Sequence, residues 1–123
     1  MNTIGLNYGK WLAPMGWDYI ATVRRHYPLT ETNAPRLMQK AIDKGKVTKL
    51  FYSIEPDFND KHTHAHLLLS SDHDLDRKSM AKAMNIQPQS ISYFEPVINQ
   101  EAVSNYCTKF IGRKNIFHDL IIT

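Results

Sequence analysis

The stretch KHTHAHLLLS, residues 61–70, decides the fold. His62, His64 and His66 alternate with Thr63, Ala65 and Leu67, and a β-strand sends successive side chains to opposite faces. The three imidazoles therefore share one face, while Ala65, Leu67 and Leu69 share the other and suit a core. Upstream, residues 48–55 (TKLFYSIE) are rich in aromatic and β-branched types and predict a second strand. Pro56-Asp57 and Asn59-Asp60 turn the chain between the two, so an antiparallel hairpin is expected. Phe51, Ser53 and Glu55 share one face of that strand, and Leu50, Tyr52 and Ile54 the other. Glu55 points the same way as the histidines only if the register sets it beside an even-numbered residue such as His64, because a one-residue slip reverses the carboxylate.

Working outward, residues 17–26 (WDYIATVRRH) alternate as a strand, with Tyr19, Ala21 and Val23 on one face and Ile20, Thr22 and Arg24 on the other. Leu37, Met38, Ala41 and Ile42 recur at helical spacing from about Ala34 to Lys44, and Gly45 is the expected stop. Asp74 is the expected N-cap of a helix running to about Asn85, with Leu75, Met80, Ala83 and Met84 as its buried set. Pro88 ends that connection, and Ser90 to Phe94 reads as a short strand. Asn99 can cap a third helix through about Ile111, and IFHDLII (116–122) adds an edge strand. In residues 1–16, Gly5, Gly9 and Pro14 interrupt any period, which predicts an arm or covering loop. The order is the split βαβ pattern of an α+β, ferredoxin-like fold. It predicts an antiparallel sheet with helices on one face, plus an added C-terminal helix that carries Tyr106. The opposite face is expected to be open, and functional side chains would sit there.

The 123 residues fit one domain, 1–123, because a second core would leave each half too small to offset its ordering entropy. Hydrophobic content of 42% and charged content of 22% are those of an ordinary globular chain, and no apolar run approaches the roughly 20 residues of a membrane helix. No membrane partner is expected. The opening MNTIGLNYGKWLAPMGW lacks the pattern of a signal peptide, which predicts a cytoplasmic protein. The lone Cys107 forms no internal disulfide and removes any cysteine-rich zinc framework. A net charge of +3 suits nucleic acid without demanding it.

Two imidazoles and a carboxylate leave several positions of an octahedral ion free for water and a phosphate oxygen, so His64, His66 and Glu55 are candidate ligands for Mn²⁺ or Mg²⁺. Zinc would also bind such a set, although the arrangement does not demand it. His62 is an alternative ligand or a partner of one. His26, His73 and His118 read as surface residues. In AVSNYCTKFIGR, residues 102–113, Tyr106 and Lys109 are three apart and project from one side of a helix. A tyrosine with an ordinary pKa of about 10 needs nearby positive charge to act as a nucleophile, which Lys109 and a metal could supply.

These residues resemble the single-tyrosine HUH endonucleases, especially the replication initiator (Rep) proteins of viruses and plasmids. His64-Ala65-His66 followed by Leu67-Leu68-Leu69 resembles the family's His-hydrophobic-His strand, and Glu55 its acidic third ligand. Tyr106-Cys107-Thr108-Lys109 resembles its Tyr-x-x-Lys helix, and Tyr19–Val23 more weakly its N-terminal motif. The resemblance covers about residues 17–113. The small Ala65 and the extra His62 depart from the pattern. It implies that Tyr106 attacks a phosphate of single-stranded DNA at a replication origin, becomes linked to the 5′ side and frees a 3′-hydroxyl for rolling-circle replication. Lys109 would hold the scissile phosphate, and Arg24, Arg25, Arg113 and Lys114 would contact DNA. No GxxxxGK[ST] loop is present, so unwinding would fall to a separate helicase.

Three other readings stand beside this one. A single-tyrosine transposase would work as a homodimer exchanging tyrosine helices. A non-catalytic ferredoxin-like nucleic-acid-binding module would stack bases on Phe51 and other open-face aromatics, with no need of metal. A cysteine hydrolase built on Cys107 lacks a His or Asp at a spacing that would activate it.

Overall fold

The computed structural model describes residues 3–58, 62–113 and 115–123. Its elements are α1 (Thr3–Leu12), β1 (Tyr19–Arg24), α2 (Ala34–Gly45), β2 (Val47–Pro56), β3 (Thr63–Ser71), α3 (Arg77–Met84), β4 (Ile91–Pro96), α4 (Gln100–Thr108) and β5 (Phe117–Ile122). The five strands form one sheet in the order β4-β1-β3-β2-β5, antiparallel throughout. The β4-β1-β3-β2 part, with α2 and α3 on one face, is ferredoxin-like, and β5 extends it at the β2 edge. No helix among the described residues is long and apolar enough to cross a membrane.

Alternation builds the main core as expected. Ala21, Val23, Leu50, Tyr52, Ile54, Ala65, Leu67 and Leu69 meet Leu37, Met38 and Ala41 of α2 and Met80 and Met84 of α3. Two boundary expectations change. The α3 N-cap is Asp76, whose carboxylate accepts from the Ser79 amide at 2.7 Å while Ser79 Oγ accepts from the Asp76 amide at 3.0 Å. This reciprocal box outcompetes Asp74, because Leu75 is already committed to the core. Gly45 is the last residue of α2, and Lys46 takes the left-handed cap conformation at φ 56°. A Cβ on Gly45 would lie 3.2 Å from that of Ala83, so this glycine serves the approach of α2 to α3.

The larger correction concerns the N-terminus and the second face. Residues 3–12 form a helix that packs on α4 and are no loose arm. Gly5 and Gly9, which read as breakers, are both buried one turn apart. A Cβ on Gly9 would fall 2.2 Å from Asn105 Oδ1, so the glycines let the two backbones approach closely. Together α1 and α4 cover part of the face expected to be open, burying Leu12, Trp17, Ile20, Phe51, Leu68, Cys107 and Ile111 in a second core. Helices therefore lie on both faces. Phe51, expected to stack bases, is 1% exposed.

Candidate metal centre and adjoining cleft

The strand register that the sequence left open is settled by β2 and β3, where Glu55 is paired with His64 and Ser53 with His66. On the other side of β3, Arg24 is paired with His64 and Thr22 with His66. Directly opposed antiparallel residues share a face, so these side chains converge. Glu55 Oε1 lies 3.4 Å from His64 Nε2 and 3.2 Å from His66 Nε2. The two imidazoles meet edge to face at 4.8 Å between ring centres. One donor atom from each of Glu55, His64 and His66 lies within 4.8 Å of the others, an arrangement able to hold a divalent metal ion. Metal-ligand chemistry fits this set: a carboxylate oxygen and two imidazole nitrogens face one point.

A carboxylate 2% exposed must be compensated. Lys109 Nζ lies 3.2 and 3.3 Å from the Glu55 oxygens and donates to the Tyr106 carbonyl at 3.0 Å. Burial pushes the Glu55 carboxyl up, but hydrogen bonding to His64 and His66, with the positive charge of His66 and Lys109, outweighs it and holds the value at about 2. His66 moves the other way for an imidazole: burial lowers its value below 6.5 against the pull of Glu55. A neutral imidazole is the form that ligates metal.

Each histidine is also held from behind. His64 Nδ1 lies 2.7 Å from Asp57 Oδ1, and His66 Nδ1 lies 3.3 Å from Thr22 Oγ1. An ionised carboxylate can only accept, so His64 Nδ1–H donates to Asp57 and leaves Nε2 for the ligand position. Arg24 donates to the same Asp57 oxygen at 2.5 Å. Burial raises the Asp57 value, but these hydrogen bonds and charges bring it below the ordinary 3.8. Sequence reasoning took Asp57 only as a turn residue. Its i+2 spacing from Glu55 was the signal that it shares the ligand face.

Tyr106 reaches the site because α4 is pinned across the sheet at two points. Gln100 Oε1 accepts from the Trp17 amide at 2.8 Å and Gln100 Nε2 donates to the Trp17 carbonyl at 2.7 Å. Ser53 Oγ donates to the Cys107 carbonyl at 2.7 Å. Asn99 caps the helix as expected, accepting from the Ala102 amide at 2.9 Å. The Tyr106 ring then meets His66 edge to face at 4.8 Å, with its side half exposed. Lys109 lies over that ring at 3.8 Å. Burial first, and then the Glu55 charge, raise the phenol above 10. Lys109 directs its charge to Glu55, and the phenol is neutral in the protein alone.

A cleft of about 560 Å³ opens beside these groups. His64, His66, Thr22 and Arg24 line it together with Ile20, Tyr93, Val103 and Tyr106. Of the expected DNA contacts among the described residues, Arg24 lines it. Arg25 points to the opposite side and donates to Ser90 Oγ at 3.0 Å, and Arg113 stacks on Phe110 at 4.4 Å. Lys114 lies outside the described residues, as do Asn59 and Asp60. His62 precedes β3 and stands outside the ligand group, and its carbonyl accepts from the Asp57 amide at 2.8 Å. His118, read as a surface residue, packs its ring on Tyr8 at 4.8 Å. Cys107 is fully buried and its thiol is pushed up to about 12 by that burial, which removes the cysteine-nucleophile reading. No protein-family model, curated protein or solved structure matches the chain.

Proposed function

We propose that the protein is a single-tyrosine, metal-dependent endonuclease that nicks and rejoins single-stranded DNA. One observation carries the reading: Tyr106, on α4, packs its ring against His66, a member of the Glu55–His64–His66 group, within one solvent-accessible cleft. Glu55, His64 and His66 would hold a divalent ion, in this reading Mn²⁺ or Mg²⁺, with positions left open for water and a phosphate oxygen. When bound, such an ion polarises a non-bridging phosphate oxygen and offsets the charge that develops there.

The chain's own residues supply the rest. Tyr106 Oη gives up its proton and attacks phosphorus, a phosphotyrosine bond to the 5′ side forms, and the bond to the departing 3′-oxygen breaks as that oxygen takes up a proton to leave a 3′-hydroxyl. One phosphoester replaces another, so no nucleotide cofactor is consumed and the step can reverse. Lys109, held between Glu55 and the Tyr106 ring, places positive charge beside the incoming phosphate. Rolling-circle initiation is the biological setting that suits a free 3′-end.

The test is incubation with labelled single-stranded oligonucleotides in Mn²⁺ or EDTA, resolved on a denaturing gel. A covalent protein–DNA band that requires both metal and Tyr106, and is lost in Tyr106→Phe, is the expected result. DNA binding that persists in EDTA with no such band on origin DNA would favour the non-catalytic binding module.

A further inference from the structure

We propose that Tyr93 is a stacking platform for one unpaired nucleobase of a single-stranded nucleic acid seated in the cleft. The inference rests on the nuclease reading for its substrate class and adds a binding subsite that the chemistry itself does not require.

The sheet register carries the argument. Tyr93 on β4 is paired with Thr22 on β1, Thr22 with His66 on β3, and His66 with Ser53 on β2. These four residues form one row across the sheet on one face, so Tyr93 stands level with His66 and two strands away. Its neighbour Phe94 turns the other way and stacks on Tyr19 at 5.2 Å, on the side of the main core. Tyr93 is 48% exposed, and no side-chain hydrogen bond or ring contact with another described residue occupies its ring. Packing within the domain therefore leaves this aromatic face available.

The surrounding chemistry selects the ligand. Ile20, Ala102 and Val103 give the cleft apolar walls, while Arg24 lies one strand row beyond Thr22 beside His64. Among the described residues that line this cleft there is no carboxylate. An aromatic wall beside apolar surface, with a cation toward the metal centre, matches a flat base joined to an anionic phosphate. Duplex DNA keeps its bases stacked inside and cannot use such a wall, so the fit is to a single strand.

The experiment is fluorescence anisotropy with a short labelled single-stranded oligonucleotide in EDTA, where no cleavage intervenes. Tyr93→Ala is expected to weaken binding by roughly 5- to 150-fold, the range for losing one stacked base, and Tyr93→Phe to bind like the unmodified protein. Both variants should take up Mn²⁺ unchanged, which separates lost stacking from a collapsed site. Unweakened binding by Tyr93→Ala, or an equal loss in Tyr93→Phe, overturns the stacking role and leaves the nuclease reading intact. Failure of the unmodified protein to bind single-stranded DNA overturns both.

Discussion

His64 Nδ1 and Asp57 Oδ1 lie 2.7 Å apart, so the carboxylate at the end of the β2–β3 hairpin sets the orientation of the imidazole that faces Glu55. Partners of this kind raise ligand basicity and fix the tautomer, and losing one typically costs about 10–100-fold in metal affinity. Asp57→Asn, which retains an acceptor oxygen without its charge, is expected near the lower end of that range for Mn²⁺. Asp57→Ala is expected near the upper end. Titration calorimetry measures both without any DNA. Unchanged affinity in Asp57→Ala would mean that strand packing alone orients His64.

The N-terminal helix makes a sharper stability prediction. Gly9 faces Asn105 and Thr108, where an added Cβ would lie 2.2 Å from Asn105 Oδ1 and 3.3 Å from Asn105 Cα. Overpacking of this order costs about 1–3 kcal/mol, against roughly 0.5–1 kcal/mol that alanine gains within a helix. Gly9→Ala should therefore be destabilising by about 1–2 kcal/mol in urea unfolding. A more stable Gly9→Ala variant would show that α1 does not pack on α4 as described.

That helix also marks where the sequence stops being legible. Period-2 alternation in residues 48–55 and 62–70 was enough to assign the hairpin, its apolar face and the shared side of His64 and His66, leaving the side of Glu55 to the register. It could not choose the register, which depends on where the turn closes. Glycine in residues 3–12 signals freedom when read locally, and only the position of α4 reveals that small residues are wanted for contact. Leu68 carried an unread signal, since three consecutive leucines imply burial on both faces of that part of β3. For Arg25 and Arg113 the sequence offers only charge, and charge alone does not say which way a side chain turns.

Acid should destabilise the metal-free protein through two groups of the site. His66 has a folded value below 6.5, so its contribution is present above that pH and is lost as protonation begins to favour the unfolded chain below it. Glu55 has a folded value of about 2 against an ordinary 4.5, so its contribution is present above pH 4.5 and is lost as pH falls through 2. The Glu55 stage is worth on the order of 3 kcal/mol. Urea melts in EDTA across this range should show stability falling with pH, and Glu55→Gln should flatten the curve below pH 4.5. An unchanged slope in Glu55→Gln would place the acid sensitivity elsewhere.

Lys109 gives the prediction that joins stability to the metal site. Its ammonium lies against both oxygens of a carboxylate that is itself almost wholly enclosed. Removing one partner of a fully buried pair costs about 3–5 kcal/mol, because the other charge is left uncompensated. Lys109 keeps a third of its side chain in solvent, so screening reduces that figure. Lys109→Met should then lower the stability of the protein in EDTA by about 1–3 kcal/mol. A divalent ion bound to Glu55, His64 and His66 supplies the same counter-charge, so saturating Mn²⁺ should narrow the gap between variant and parent. The comparison is four unfolding curves, two proteins with and without metal. A gap that Mn²⁺ leaves unchanged would mean that Lys109 stabilises the fold through its contact with the Tyr106 carbonyl and ring, independently of Glu55.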